Sequence, residues 1–544
     1  MNKIKKALQK ISKTTWILIA IIILGIFLRT YQLHNWLYFY PDQARDLMIV
    51  DDYLGGRADL PLLGFKAASS KFQLGAMYSY FQIIAAKIFG SSPAVMAYPD
   101  VLFGILSIPL LYLFLKKYFD ERFSLALTGL YSISFYAIRY SRFAWNSNPI
   151  PFFVLLFLLA LWEFLVGKEK TAWRWIVALG IALGVGVQLH TVLLILLPLT
   201  LVVAFGYYFA VNQNKAWQKW LVILLVALVL NIGQIISETR SGFKNTKYFV
   251  AVLGDRSPNE SVGALQNLAL DVICNAQANS LYVSSFQNKD ECDSLSYLKN
   301  GDYVNFKIAE YVSTWTSMLI GLGLLIFGYW RLVYCWRQEQ TEKKKIFLGL
   351  NLVFGALTFL VIFPIVSHNG QVRYFLPIIF LPFLFLGLVG KYFLEKFAKK
   401  SRWLIIGVII LAGLNIFTIF TEVSQLQAKT RSNAQYVVLG ELEEVSQYII
   451  AQSQPQKEAY VFGGQKYMQN FYRQLFYAAA QKGFNLNRVS RHPEDIPAEK
   501  PIFFIDQNPD AAENGKYQTL PIEMGFKVLY YKNFGNVAVY RITN

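Results

Sequence analysis

Phe72-Gln73-Leu74-Gly75-Ala76-Met77-Tyr78-Ser79-Tyr80-Phe81-Gln82-Ile83-Ile84-Ala85-Ala86-Lys87-Ile88-Phe89-Gly90 is the stretch on which the fold turns. It is one of twelve apolar blocks, at about 14–33, 72–90, 95–116, 122–139, 149–167, 172–189, 191–210, 217–236, 311–335, 346–366, 372–392 and 402–421. If all twelve cross a membrane from a basic, cytoplasmic N-terminus, the loops with Lys116, Lys117 and Arg122, with Lys168, Lys170 and Arg174, with Lys343, Lys344 and Lys345, and with Lys396, Lys399, Lys400 and Arg402 all fall outside. That inverts the positive-inside rule at nearly every loop. If residues 72–90 instead lie in the outer interface, where Gln73, Tyr78, Tyr80, Gln82 and Lys87 suit an amphipathic helix, every one of those loops returns to the cytoplasm. The expectation is therefore a polytopic α-helical membrane protein of about eleven transmembrane helices plus one juxtamembrane helix. Its N-terminus is cytoplasmic and its C-terminus extracytoplasmic, in the plasma membrane.

Composition agrees with that class. The chain has 544 residues, 55% of them hydrophobic, and a net charge of +18. In a soluble protein such a charge would suggest nucleic acid. Here the basic residues sit in short loops between apolar blocks, where they set orientation, so no nucleic acid partner is expected. Lys3, Lys5, Lys6, Lys10 and Lys13 precede a run too long for a signal peptide and without a small-residue cleavage site, which makes it a retained first span. Of three cysteines, Cys274 and Cys292 fall in one hydrophilic loop and could pair if it faces an oxidising compartment.

After residue 421 the composition becomes that of a soluble domain. A helix at about 434–452, strand 459–462, helix 466–482, strand 501–505 and paired strands 527–531 and 537–540 predict a small C-terminal α/β domain over 422–544, beside a membrane domain over 1–421 with outer loops 34–93 and 238–310. The loop from 238 to 310 is polar; it could shape an acceptor groove or merely connect. Its Asn259-Glu260-Ser261 fits a glycosylation pattern that matches often by chance.

On the outer side this topology collects the unusual residues. Tyr40-Pro41-Asp42-Gln43-Ala44-Arg45-Asp46 follows the first span, with Pro41 and Asp42 suited to start a helix that runs through Leu54. Asp42 and Asp46, four apart, share one helix face with Arg45 beside them. Such a pair could hold a divalent cation, Mg or Mn, or divide the roles of base and orienting group. Asp51 and Asp52 are expected to be solvated. Arg139, Arg142, Arg373 with Tyr374, His190, His368 and Tyr78 complete the candidate substrate-binding set, the arginines because guanidinium forks match phosphate oxygens. The plainer reading for each arginine is a helix-end anchor.

With these residues in view, 14–421 resembles the GT-C superfamily of polytopic glycosyltransferases, in the branch of protein O-mannosyltransferase-like, ArnT-like and RgtA/B/C/D-like enzymes. Phe27-Leu28-Arg29 followed by Asp42-Gln43-Ala44 is similar to the family's first span and Asp-Glu-Ala loop, and Leu74 to Tyr80 to its juxtamembrane segment. Tyr140-Ser141-Arg142 and Arg373-Tyr374-Phe375-Leu376-Pro377 match its later motifs in order. The resemblance implies transfer of a hexosyl or pentosyl group from a polyprenyl-phosphate carrier to a lipid, glycan or protein acceptor at the outer face of the bilayer, with Asp42 as base or metal-associated acid. Gln43 departs from the family by replacing its second acid, and 66–75 lacks the acid of ArnT-like members. A polysaccharide polymerase or ligase, and a lipid-linked sugar flippase or transporter, are the alternatives.

Overall fold

A computed structural model describes residues 12–67, 70–167, 169–212, 217–254, 264–285, 292, 308–369, 371–397, 401–429, 437–463, 471–489, 500–506, 525–535 and 537–543. The first helix, α1 (Lys13–Thr30), is capped by Ser12, whose hydroxyl accepts from the Thr15 amide at 3.1 Å. At 1.5 Å per residue it is about 27 Å long, enough to cross a bilayer core. After it come α2 (Pro41–Leu54), the hairpin β1 (Leu63–Lys66) and β2 (Gln73–Gly75), α3 (Met77–Phe89) and α4 (Pro93–Met96). The next group is α5 (Tyr98–Leu115), α6 (Glu121–Ser132), α7 (Phe135–Arg139), α8 (Ile150–Val166), α9 (Glu169–Leu189), α10 (Thr191–Asn212) and α11 (Trp217–Leu230). Then follow α12 (Ile232–Ser241), α13 (Lys244–Gly254), α14 (Ala264–Ser284), α15 (Ile308–Gln338), α16 (Glu342–Asn369), a 3₁₀ segment (Val372–Ile378), α17 (Leu381–Lys396) and α18 (Ser401–Ala428).

All eleven blocks expected to cross are helical. Among the described residues six helical stretches are long and apolar enough to span by themselves, and eight if α11 with α12 and the 3₁₀ segment with α17 each count as one bent span. The bend of 62° in the second pair follows Pro377 and precedes Pro382, as two prolines in one apolar block predict. The decisive block at 72–90 does not span. It divides into β2 and the 13-residue α3, about 20 Å long, which is too short for a bilayer core of roughly 30 Å. Gly75 at the end of β2 leaves room for Gln188 of α9: a Cβ there would lie 2.2 Å from its Oε1, the oxygen that accepts from the Met77 amide.

The polar stretch 238–310 is where the expectation of a loop fails. It contains α12, α13 and above all α14, which packs against α15, α16, α17 and α18. Asp271, Asn275, Gln277, Asn279, Ser280 and Ser284 of α14 are buried. Hydrogen bonds replace apolar contacts there: Tyr282 donates to the Val372 carbonyl at 2.8 Å, Ser317 to Ser280 at 3.1 Å, and Asn415 to the Val283 carbonyl at 2.7 Å. Gly321 of α15 lets the helices touch, since a Cβ would fall 1.7 Å from the Ala276 carbonyl oxygen. Cys274 and Cys292 form a disulfide, as their shared loop allowed. Asn259, Glu260 and Ser261 lie outside the described residues.

The C-terminal region contains α19 (Leu439–Ser453), β3 (Glu458–Gly463), α20 (Tyr472–Ala480), β4 (Asn485–Arg488), β5 (Ile502–Asp506), β6 (Lys527–Phe534) and β7 (Val537–Thr543). Its sheet has the order β4-β3-β5-β7-β6, with the first three strands parallel and the last two an antiparallel hairpin. Strand β4 was not expected: Asn485-Leu486-Asn487-Arg488 has the polarity of a loop and pairs only along one edge.

Candidate active site

Helix α2 is placed by its own sequence. Pro41 occupies the first turn, where a missing amide costs nothing, and Asp42 follows, where the helix dipole favours a carboxylate. Gln43, Ala44, Asp46, Leu47 and Val50 form the buried face. Asp42, on the same side at the helix start, is left open, with its side chain 68% exposed, whereas Asp46 is 5% exposed. Arg45 joins them: Nη1 donates to Asp42 Oδ1 at 3.0 Å, while Nε and Nη2 both donate to Asp46 Oδ1, at 2.9 and 2.7 Å. Burial pushes the Asp46 carboxyl up to about 7, against the pull of Arg45. The two acids therefore differ in kind, one open to an acceptor and one buried behind the guanidinium.

Gln43, at the position of the family's second acid, is a bridge. Its Nε2 donates to the Tyr38 carbonyl at 2.7 Å and its Oε1 accepts from the Ala144 amide at 3.3 Å. A glutamate, which only accepts when ionised, could not make both bonds. The bridge ties α2 to the turn between α7 and α8, and aromatic rings extend it. Tyr40 meets Phe143 edge-on at 5.4 Å, Phe143 stacks on Trp145 at 6.0 Å, and the Arg373 guanidinium lies 5.0 Å from the centre of the Trp145 ring. Arg373 also faces Tyr374 at 5.8 Å, whose ring is 6.1 Å from that of His190. The turns at 145–146 and 190 are fastened by Asn146, which donates to the Leu189 carbonyl. His190 accepts the Val192 amide on Nδ1 at 3.2 Å, and burial, helped by Arg373, lowers it to about 4. It is a neutral imidazole at pH 7.

The structure thus brings Arg373, Tyr374 and His190 together on one run of rings that reaches Tyr40 at the start of α2, and groups Asp42, Arg45 and Asp46 on that helix. Arg142 stands differently. Its Nη1 and Nη2 donate to the carbonyls of Leu28 and Tyr31 at 2.9 and 2.7 Å, closing the C-terminal end of α1 as a helix-end anchor does. Arg139 lies over the Tyr38 ring at 5.9 Å. Tyr78 is 1% exposed, and its hydroxyl donates its one proton to Asp100 at 2.7 Å. The side chain of His368 lies outside the described residues. Asp51 is half-buried and accepts from Ser91 and Tyr477, whereas Asp52 forms an exposed pair with Arg57 at 2.8 Å.

Sequence reasoning missed Asp100. It is fully buried beneath Tyr78, which in turn meets Phe65 at 6.2 Å, and Phe65 supports the Arg45 guanidinium at 5.2 Å. The available signal was an acid at the start of an otherwise apolar span, which rarely stands without a role. A divalent cation does not fit this donor set. Both site carboxylates already bind a guanidinium through Oδ1, and no three His, Cys, Asp or Glu side chains converge among the described residues.

A long bundle, a juxtamembrane helix and an acidic first loop define the fold of the GT-C glycosyltransferases, and this membrane protein has that fold. Residues 75–236 match the family model described as dolichyl-phosphate-mannose-protein mannosyltransferase. The chain is similar in structure to ArnT from Cupriavidus metallidurans bound to undecaprenyl phosphate, at 13% identity over 97% of this chain and 98% of that one, with a TM-score of 0.52. It matches the Archaeoglobus fulgidus oligosaccharyltransferase in complex with Zn and sulfate at 13% identity over 96% and 72% of the chains, with a TM-score of 0.47. The S. cerevisiae protein O-mannosyltransferase Pmt1-Pmt2 complex bound to the sugar donor matches at 14% identity over 43% and 34%, with a TM-score of 0.34. Comparison with curated protein sequences finds no match.

Proposed function

We propose that the protein transfers a hexosyl or pentosyl group from a polyprenyl-phosphate carrier to a glycan, lipid or protein acceptor at the extracytoplasmic face of the plasma membrane. The observation that supports this reading is the run of ring contacts from Tyr40 through Phe143 and Trp145 to Arg373, which links the start of α2, where Asp42 stands open, to a cation. The basic loops at the opposite end of the bundle support a cytoplasmic N-terminus. They support likewise an extracytoplasmic α/β domain from 422 onward. The family match over 75–236 and the ArnT-like fold support a lipid-phosphate donor.

In the mechanism we infer, the acceptor hydroxyl approaches Asp42 through the face that Arg45 leaves open. Its oxygen bonds to the anomeric carbon as the bond from that carbon to the phosphate oxygen breaks. The hydroxyl proton passes to Asp42, and the lipid phosphate leaves with the electron pair. Arg373 stabilises the charge developing on the phosphate at the membrane boundary, where the low dielectric makes a fixed cation most effective. Neutral His190 orients rather than neutralises, since it carries no charge at the working pH. A single displacement inverts the anomeric centre. A double displacement would need a second open nucleophile, and Asp46 is buried behind Arg45.

Thin-layer analysis of purified protein incubated with radiolabelled polyprenyl-phosphate sugars tests the reading. Label should leave the carrier with wild type and stay on it with Asp42→Asn. Retention of label on every carrier by folded wild-type protein would overturn the proposal.

A further inference from the structure

We propose that the C-terminal α/β region sets the catalytic geometry, with Gln474 as a positioning residue for Asp42. This rests on the reading of Asp42 as the base. Between α1 and α2 the backbone pairs with the entry to α19: the Leu439 amide donates to the Leu37 carbonyl at 2.9 Å, the Phe39 amide to the Val437 carbonyl at 3.2 Å, and Tyr38 and Val438 form an antiparallel bridge. Tyr38 also donates its hydroxyl to Glu422. Such pairing fixes register, because a slip of one residue would reverse the side chains of the whole segment.

Helix α20 then holds α2 at two points. Gln474, 1% exposed, donates Nε2 to the Phe39 carbonyl at 3.0 Å, three residues before Asp42. One turn later Tyr477 packs edge-on against Phe39 at 6.4 Å and donates its hydroxyl to Asp51 Oδ2 at 3.2 Å. Phe39 and Asp51 bracket α2, so the two contacts govern both its position and its rotation about its axis. Rotation decides where the Asp42 carboxylate points relative to Arg373. A base must reach its proton within hydrogen-bond distance, so a small turn of α2 lowers the chemical step without removing any group that binds substrate.

The test compares Gln474→Met, which keeps length and loses the donor, with Gln474→Glu, which can donate to the Phe39 carbonyl only when protonated. Relative to wild type, we expect kcat to fall about tenfold in Gln474→Met while the donor KM stays within about twofold. In Gln474→Glu the ratio to wild type should recover as pH is lowered through the carboxyl's titration. Hydrogen exchange at residues 39–46, measured without substrate, should quicken in Gln474→Met. Unchanged exchange would overturn the proposal even if no carrier were ever turned over, which separates its failure from that of the transferase reading. With an active wild type, an unchanged kcat in Gln474→Met, or a loss confined to KM, would overturn it as well. A Tyr38→Cys, Val438→Cys pair supplies the last arm, since antiparallel partners sit within disulfide reach. The oxidised form should turn over as fast as the reduced form, and loss of activity on oxidation would show that the region must leave the loop, against the proposal.

Discussion

Replacing Asp46 by asparagine should make the protein more stable at pH 8 and leave it nearly unchanged at pH 4. The carboxyl is buried, and its pKa is raised from 3.8 to about 7. Between those values the folded protein holds a proton that the unfolded chain has already released, so stability falls as pH rises. The gap corresponds to about 4 kcal/mol, lost almost wholly between pH 4 and pH 7 and constant above it. Asparagine does not titrate and escapes that loss. The bonds from Arg45 Nε and Nη2 to the ionised carboxylate are already contained in that raised pKa and are not subtracted again. The gain at pH 8 is then about 4 kcal/mol.

For a chain of this length the entropy of unfolding scales to roughly 1 kcal/mol per degree, so the gain is a rise of about 4 °C in Tm. The assay is thermal unfolding of the detergent-solubilised protein by intrinsic fluorescence at half-unit steps from pH 4 to pH 9. The wild-type minus variant difference should move steadily to lower Tm as pH rises from 4 to 7 and then level off. Parallel profiles across that window would refute the reasoning, because they would mean that Asp46 stays ionised in the fold and that Arg45, rather than burial, governs it.

Arg373→Ala should lower kcat/KM by about tenfold to a hundredfold, the loss of a charge-assisted contact, with Arg373→Lys recovering part of it; steady-state kinetics on the labelled carrier would show this, and an equal loss in both variants would point to packing on Trp145 instead. His190, held near 4 by burial and Arg373, should contribute no limb to the pH–rate profile between pH 5 and 8, so wild type and His190→Asn profiles should have the same shape there. Transfer should survive dialysis against a chelator, because Arg45 already occupies both carboxylates; full loss, restored by Mg or Mn, would contradict the donor-set argument.

The class of helical membrane protein was legible because it depends on coarse signals, the length and spacing of apolar blocks. The block at 72–90 yields only the 13-residue α3, and among the described residues six to eight stretches are long and apolar enough to span. The same signals failed at α14, since a hydropathy reading assumes that a buried helix must be apolar. Within a bundle a polar helix is tolerated where its neighbours supply donors and acceptors, as Ser317, Asn415 and the Val372 carbonyl do here. Those partners lie 37 to 132 residues away in sequence, and no local pattern announces them. Strand β4 escaped for a similar reason, being defined by its place beside β3 rather than by alternation.

The candidate site was legible by residue type but not by role. Asp42, Asp46 and Arg45 are one helix face in any sequence reading, yet burial alone separates an open carboxylate from a hidden one, and burial comes from what packs on α2. The guanidiniums divide in the same way. Arg142 and Arg373 look alike at the ends of apolar blocks, but Arg142 meets the free carbonyls at the end of α1, whereas Arg373 meets aromatic rings that leave its N–H donors to other partners. Gln43 shows what the departure from the family pattern does. An amide at that position can join the Tyr38 carbonyl to the Ala144 amide, which a carboxylate cannot, and so gains a fixed link between α2 and the Arg373 floor where an acid would have offered a metal ligand.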